Sequence, residues 1–295
     1  MKNKRKKRSF RDFLSPMFAI IALGILFYPI VANLLVSHKT SEVVSTFTTK
    51  RSQLSQGEIS QQLQLAKEYN TYIYDMSQKI SYNKSIPNYD KALKIDASGM
   101  IGYVSIPQIK VSDIPIYHGD SERTLSVGIG HLPQTSLPIG GKNTHAVLSA
   151  HSGRANNTLF TNLDKLKIGD VFYVTTLNLK LKYKITQTKV VLPEDVSSLG
   201  IHKGKDEVTL VTCYPTGIND HRLLVTGKRI PYTEQTPTEK IQRNQYGYNF
   251  WIILLSIVLA LIASAYMGYQ WINYQKRKKE KKGKEAESII ENDEK

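Results

Sequence analysis

The stretch Val208-Thr209-Leu210-Val211-Thr212-Cys213, followed by Tyr214-Pro215-Thr216-Gly217, reads as a buried strand that stops abruptly. Apolar and β-branched residues run without interruption, and Pro215 and Gly217 then turn the chain. Cys213 therefore stands at the carboxyl end of a strand, where a side chain can emerge into a cleft. It is the single cysteine of the 295 residues. Two readings stand for it on position alone: an inert buried thiol or a nucleophile.

The same texture extends outward. Short β segments broken by Gly, Pro and Asn read at 100–106, 112–117, 145–150, 171–176, 179–191, 207–213 and 222–230. Alternation is clean around Leu181, Tyr183 and Ile185, which share one face. Phe160 to Leu166 reads as a short helix or turn. Seven or eight short strands with few helices point to a mainly β domain built as a closed antiparallel barrel. Upstream, apolar residues from Leu54 to Met76 recur mostly at spacings of 3 and 4, which predicts a helix over 51–78. Residues 81–98 are polar, contain Pro87 and read as a connector or covering loop.

Two stretches flank this material. Residues 16–36 and 250–271 hold 21 and 22 residues without a charge. About 20 apolar residues in a helix span a bilayer core, so both are expected transmembrane helices. The net charge of +15 is uneven, with +6 in residues 1–15 and +2 in residues 276–295. Basic clusters just outside apolar spans mark the cytoplasmic side, which accounts for them without a nucleic-acid partner. Both termini are then cytoplasmic and 37–249 lies outside. A cleaved signal peptide fits less well, because the apolar run is long and no small-x-small site follows. The expected layout is a basic tail (1–15), a span (16–36), a helical and lid-like region (37–98), a barrel (99–231), a tether (232–249), a span (250–271) and a charged tail (272–295). One cysteine outside the cell excludes a disulfide framework. The basic residues Lys180, Lys182, Lys184 and Lys189 read as a solvated strand face.

A cysteine nucleophile needs a base or cation to hold its thiolate. His151 closes the apolar run Ala146-Val147-Leu148-Ser149-Ala150, a setting that mirrors Cys213. If the two strands are neighbours with aligned ends, the side chains meet. His38, His118, His145 and His202 lie in polar or turn contexts and read as surface residues. His131, in Gly128-Ile129-Gly130-His131-Leu132-Pro133, reads as a loop residue that could border a cleft. Arg222 opens the next strand nine residues after Cys213. It could steady an oxyanion or a substrate backbone as a fixed fork, or it could be an ion-paired surface residue.

Thr209-Leu210-Val211-Thr212-Cys213 followed by Arg222 resembles the TLxTC…R signature of sortases. Ser149-Ala150-His151-Ser152-Gly153 is similar to the strand-end histidine of the same enzymes. The run from Gly130 to Gly141 (GHLPQTSLPIGG), the run from Leu159 to Asp170 (LFTNLDKLKIGD) and the strand from His221 to Arg229 (HRLLVTGKR) resemble class C, the pilus-assembly sortases. The likeness covers about residues 100–230, in the family's order, and a second span after the domain is likewise typical of class C.

This resemblance implies an eight-stranded sortase-like β-barrel carrying a cysteine transpeptidase at the membrane of a Gram-positive bacterium. Cys213 would be the nucleophile, His151 its acid and base, and Arg222 the oxyanion or substrate-positioning group. Thr212 and His131 are added as candidate substrate-binding residues. The implied partners are pilin subunits bearing an LPxTG-like signal and their acceptor lysine, or a cell-wall precursor; no metal or cofactor is implied. Class C sortases usually carry a lid built around Asp-Pro-aromatic. No proline here follows an aspartate, so no lid residue is assigned. The arginine usual after the strand-end histidine is replaced by Ser152, with Arg154 two positions on. A sortase that anchors proteins to the wall is the alternative within the same chemistry. A papain-like peptidase is disfavoured because His151 precedes Cys213 and both end strands. A non-enzymatic assembly scaffold would tolerate loss of Cys213.

Overall fold

The computed structural model describes residues 10–153 and 159–232, with 259–260, 263–264, 266–275, 277 and 280 beyond them. The chain divides into two units, 1–29 with 248–295, and 30–247. The described residues of the first unit are helical. The second unit carries the barrel.

Helix α1 (Phe10–Gln53) is followed by α2 (Gln56–Ser77). One helix was expected over 51–78, and the chain breaks at Leu54 and Ser55. The cause is a capping box. The Glu58 amide donates to Ser55 Oγ at 3.2 Å, and the Ser55 amide donates to the Glu58 carboxylate at 2.8 Å. Two orphan amides are thereby satisfied at a fresh helix start. α2 buries Ile59, Ala66, Tyr69, Asn70 and Ile73. Asn70 donates to Leu137 O at 3.0 Å and accepts from the Leu137 amide at 2.6 Å, fixing α2 to the barrel wall.

Of the two expectations for 81–98, connector or covering loop, the structure shows a segment packed on the barrel. Ala92 and Leu93 are fully buried. Tyr89 opens a 3-10 turn, Tyr89–Lys91, and its hydroxyl accepts from the Gly119 amide at 3.0 Å. The segment is a strap docked on the barrel rather than a solvated loop.

The eight strands are β1 (Met100–Ile106), β2 (Val111–His118), β3 (Ile129–His131), β4 (Thr144–Ser149), β5 (Val171–Thr176), β6 (Leu179–Val191), β7 (Asp206–Tyr214) and β8 (His221–Ile230). They close in the order β1-β2-β3-β4-β7-β8-β6-β5. The closed eight-stranded barrel matches expectation, but it is not wholly antiparallel: β2–β3 and β4–β7 pair in parallel. Turn signals report only on consecutive strands, and β4 and β7 are brought together across the whole β5–β6 hairpin. β3 is three residues long with a central glycine, too short to register as alternation. The 160–166 segment contains a 3-10 turn at Leu163–Lys165.

Inside the barrel, the Leu181, Tyr183 and Ile185 face is buried as its period of two requires. Tyr183 stacks on Phe172 at 5.4 Å. Gly227 is the residue that admits this ring: a Cβ there would lie 2.5 Å from Phe172 Cε1.

Among the described residues, no helix is long and apolar enough to cross a membrane. The expected span 16–36 falls on α1, where the backbone is helical but many side chains lie outside the described residues. Most of the expected span 250–271, and the tether 233–249, also lie outside them.

Candidate active site

The parallel β4–β7 ladder pairs Thr144 with Asp206 and, in unbroken register, Ser149 with Val211. Continued for two residues, the same offset sets His151 opposite Cys213. The antiparallel β7–β8 ladder pairs Cys213 directly with Arg222. The three residues thus form one row across three adjacent strands. Neighbouring strands lie about 4.8 Å apart, and paired residues on registered strands point to the same face. His151, Cys213 and Arg222 therefore share a face.

That face is the outside of the barrel. Stepping back by two along each strand gives Ser149, Val211 and Leu224. Val211 and Leu224 pack with Val147 in a small cluster separate from the main core, under Leu132, Val191 and Leu199. Alternate residues such as Val208, Leu210 and Leu223 belong to the interior. The row thus ends an apolar floor that runs along the outer face of β4, β7 and β8.

Each candidate is held by local contacts. Cys213 is partly exposed, and its carbonyl accepts from Ser152 Oγ at 2.8 Å. This bond ties the loop after His151 to the end of β7. The His151 carbonyl accepts from the amide of Phe160 at 3.2 Å, and Phe160 is fully buried, so the loop is pinned on both sides of residues 154–158. Arg154 lies outside the described residues. The His151 side chain is 22% exposed, with Nε2 3.3 Å from Glu122 Oε2. Glu122 opens α3 (Glu122–Val127), whose N-cap Ser121 Oγ accepts from the Thr124 amide. Arg222 is folded toward its own loop, donating from Nη1 to Asn219 O at 3.2 Å and His221 O at 3.0 Å. Its guanidinium is held by these two backbone carbonyls.

The two candidate substrate-binding residues are placed elsewhere. Thr212 falls on the inward face, because it is one residue from Cys213. It is 3% exposed, and its hydroxyl donates to Ala150 O at 2.8 Å. It couples β7 to the residue before His151 and lies on the face opposite Cys213. His131 is fully buried in β3, not on a loop. Its Nε2 donates to Ser136 O at 2.8 Å and its Nδ1 accepts from Tyr89 Oη at 2.8 Å. Burial pushes the imidazole down to about 4. His145, expected at the surface, is also buried: Nδ1 donates to Gly200 O and Nε2 accepts from Thr209 Oγ1. His118 is half-buried, and burial holds it below the ordinary histidine range.

Two contributors were not legible beforehand. Glu122 had only the signal of an acid in the first turn after a serine cap, and Ser152 only its place beside His151. Neither signal points to a distant strand.

Comparisons with known proteins bear on the family of the whole domain. A family model described as the sortase domain matches residues 104–230. The solved sortase C1 of GBS pilus island 1 is 42% identical, with a TM-score of 0.60 over 67% of this chain and all of that one. A Clostridium perfringens sortase C, solved with the C-terminal cell wall sorting motif, is 44% identical, with a TM-score of 0.57 over 65% of this chain and all of that one. Sortase A of Streptococcus agalactiae serotype III (strain NEM316) is 27% identical over 222 residues, 72% of this chain and 83% of that protein. With its cysteine, histidine and arginine ending three adjacent strands of one eight-stranded barrel, the chain belongs to the sortase family and resembles its class C members.

Proposed function

We propose that the chain is a membrane-held cysteine transpeptidase that joins pilin subunits. The observation that carries this reading is the pairing of Cys213 with Arg222, with His151 two residues past the end of the β4–β7 ladder, beside an outward apolar cluster. Cys213 Sγ, as thiolate, attacks the threonine carbonyl carbon of an LPxTG-like signal laid along that floor. Arg222 leaves the Asn219 and His221 carbonyls and donates to the developing oxyanion. The Thr–Gly C–N bond breaks as the His151 imidazolium gives its proton to the departing glycine amine. A thioester to Cys213 remains. A pilin lysine then attacks it, His151 accepts the amine's proton, the thiolate leaves, and a Thr–Lys isopeptide bond is formed. No oxidant or metal enters this balance.

The two uncharged stretches 16–36 and 250–271 would hold the enzyme at the outer face of the membrane, with both termini cytoplasmic. The similarity to a sortase C1 of a pilus island supports a pilin acceptor. The test is the full chain in detergent with an LPxTG-type peptide and a lysine-bearing pilin fragment, products read by mass spectrometry, beside Cys213→Ala. A Thr–Lys isopeptide product absent from the variant is the expected result. Transfer only to a glycine or diamine amine would replace pilin joining with anchoring to the cell wall. Product formation that survives Cys213→Ala would refute the mechanism.

A further inference from the structure

A cavity of about 860 Å³ lies within the 30–247 unit, against the face of β2. α1 contributes Val36, Lys39 and Val43, the strap contributes Asp90 and Lys94, and α3 contributes Arg123 and Val127. β2 contributes Pro115 and Tyr117. None of the three cations is in an ion pair among the described residues. His118 is also in the wall, and its Nε2 is buried without a hydrogen-bond partner.

The lining has two chemistries. Valines, proline and the tyrosine ring offer apolar surface that a small inorganic anion cannot use. Lys39, Lys94 and Arg123 against Asp90 leave a charge of about +2 that an apolar ligand would strand. An anionic head on an apolar stem satisfies both. The position of the cavity says where such a molecule comes from. Val36 closes the uncharged stretch 16–36, and Lys39 stands about 4.5 Å further along α1 at 1.5 Å per residue. On the reading of 16–36 as a span, on which this inference rests, the cavity lies at the depth of the bilayer phosphates.

We propose that this cavity binds the phosphate headgroup of an anionic membrane lipid, with Lys39, Lys94 and Arg123 on the phosphate and Val36, Val43 and Val127 on the first methylenes of the acyl chains. Bound lipid would join α1, the strap and α3 at the membrane surface.

The experiment uses the full chain, delipidated in detergent and given phosphatidylglycerol or phosphatidylcholine, with retained lipid counted by native mass spectrometry. Wild type retains phosphatidylglycerol in preference. Each of Lys39→Gln, Lys94→Gln and Arg123→Gln lowers retention about fivefold, and the triple variant on the order of a hundredfold. Asp90→Asn raises retention, which a variant that merely unfolds cannot do. Equal retention of the two lipids, or an unchanged triple variant, overturns the proposal. Displacement by millimolar inorganic phosphate also overturns it, in favour of a free-anion site. Resistance of vesicle-bound chain to carbonate extraction separately reads the span. Extraction there with headgroup preference intact in detergent refutes the membrane reading and leaves the site.

Discussion

Thr212→Val is the substitution that most sharply separates the two roles open to a residue beside the nucleophile. Valine keeps the shape of threonine and deletes one hydroxyl. In this barrel that hydroxyl lies on the inward face, 3% exposed, and donates to Ala150 O at 2.8 Å. Removing the donor leaves a buried carbonyl short of a partner, which costs about 1.5 kcal/mol. For a domain of roughly 200 residues, 1 kcal/mol moves Tm by about 2–4 °C, so a fall of about 3–6 °C is expected. Ala150 immediately precedes His151, so the loss also loosens the acid–base group relative to Cys213. Misplacement by about 1 Å can cost a hundredfold in rate, and a partial shift here should lower kcat on the order of tenfold. KM for the sorting peptide should stay within about twofold, because Thr212 lies on the face opposite Cys213. Thr212→Ser should restore both Tm and kcat. The assay is steady-state transfer read by product mass, with thermal unfolding on the same samples. A rise in KM at unchanged Tm would refute the inward placement and return Thr212 to the substrate site.

Arg222→Lys should keep Tm within about 2 °C, since the guanidinium donates only to carbonyls of its own loop, while kcat falls on the order of a hundredfold for lack of the planar fork; near-full activity in steady-state transfer would remove Arg222 from the oxyanion. Glu122→Gln should change kcat less than about threefold and KM not at all, because the carboxylate facing His151 at 3.3 Å is 72% exposed and screened; a loss that persists in 1 M salt would show a stronger coupling. His131 gives a pH dependence of stability. Its folded value of about 4 lies below its ordinary 6.5, so between these values the unfolded chain binds a proton that the native chain does not. Stability is complete above about pH 6.5 and falls by about 3 kcal/mol as the pH drops to 4. Urea unfolding at pH 7 and pH 4.5 measures this, and equal midpoints would contradict the buried neutral imidazole.

The sequence by itself determined seven of the eight strands and the candidate site residues at their ends. The uninterrupted run ending at Cys213, the matching run ending at His151 and the alternation in β6 are local signals, and local backbone preference and burial period decide them. The placement of β5 and β6 could be read to the residue for the same reason. The tertiary structure alone decided which strands are neighbours. The parallel pairing of β4 with β7 closes the interval between His151 and Cys213 through contacts that no turn residue announces. That pairing, with the two-residue period, sets the row on the outer face and sends Thr212 inward, although Thr212 and Cys213 are adjacent in the chain. His131 and His145 show the same limit. The Gly-rich stretch around His131 reads as loop and the polar one around His145 as surface, yet the strap's Tyr89 and the strand partner Thr209 meet those imidazoles in the interior. A buried polar group must find its partners, and for these residues the partners are remote in sequence and near only after the barrel closes.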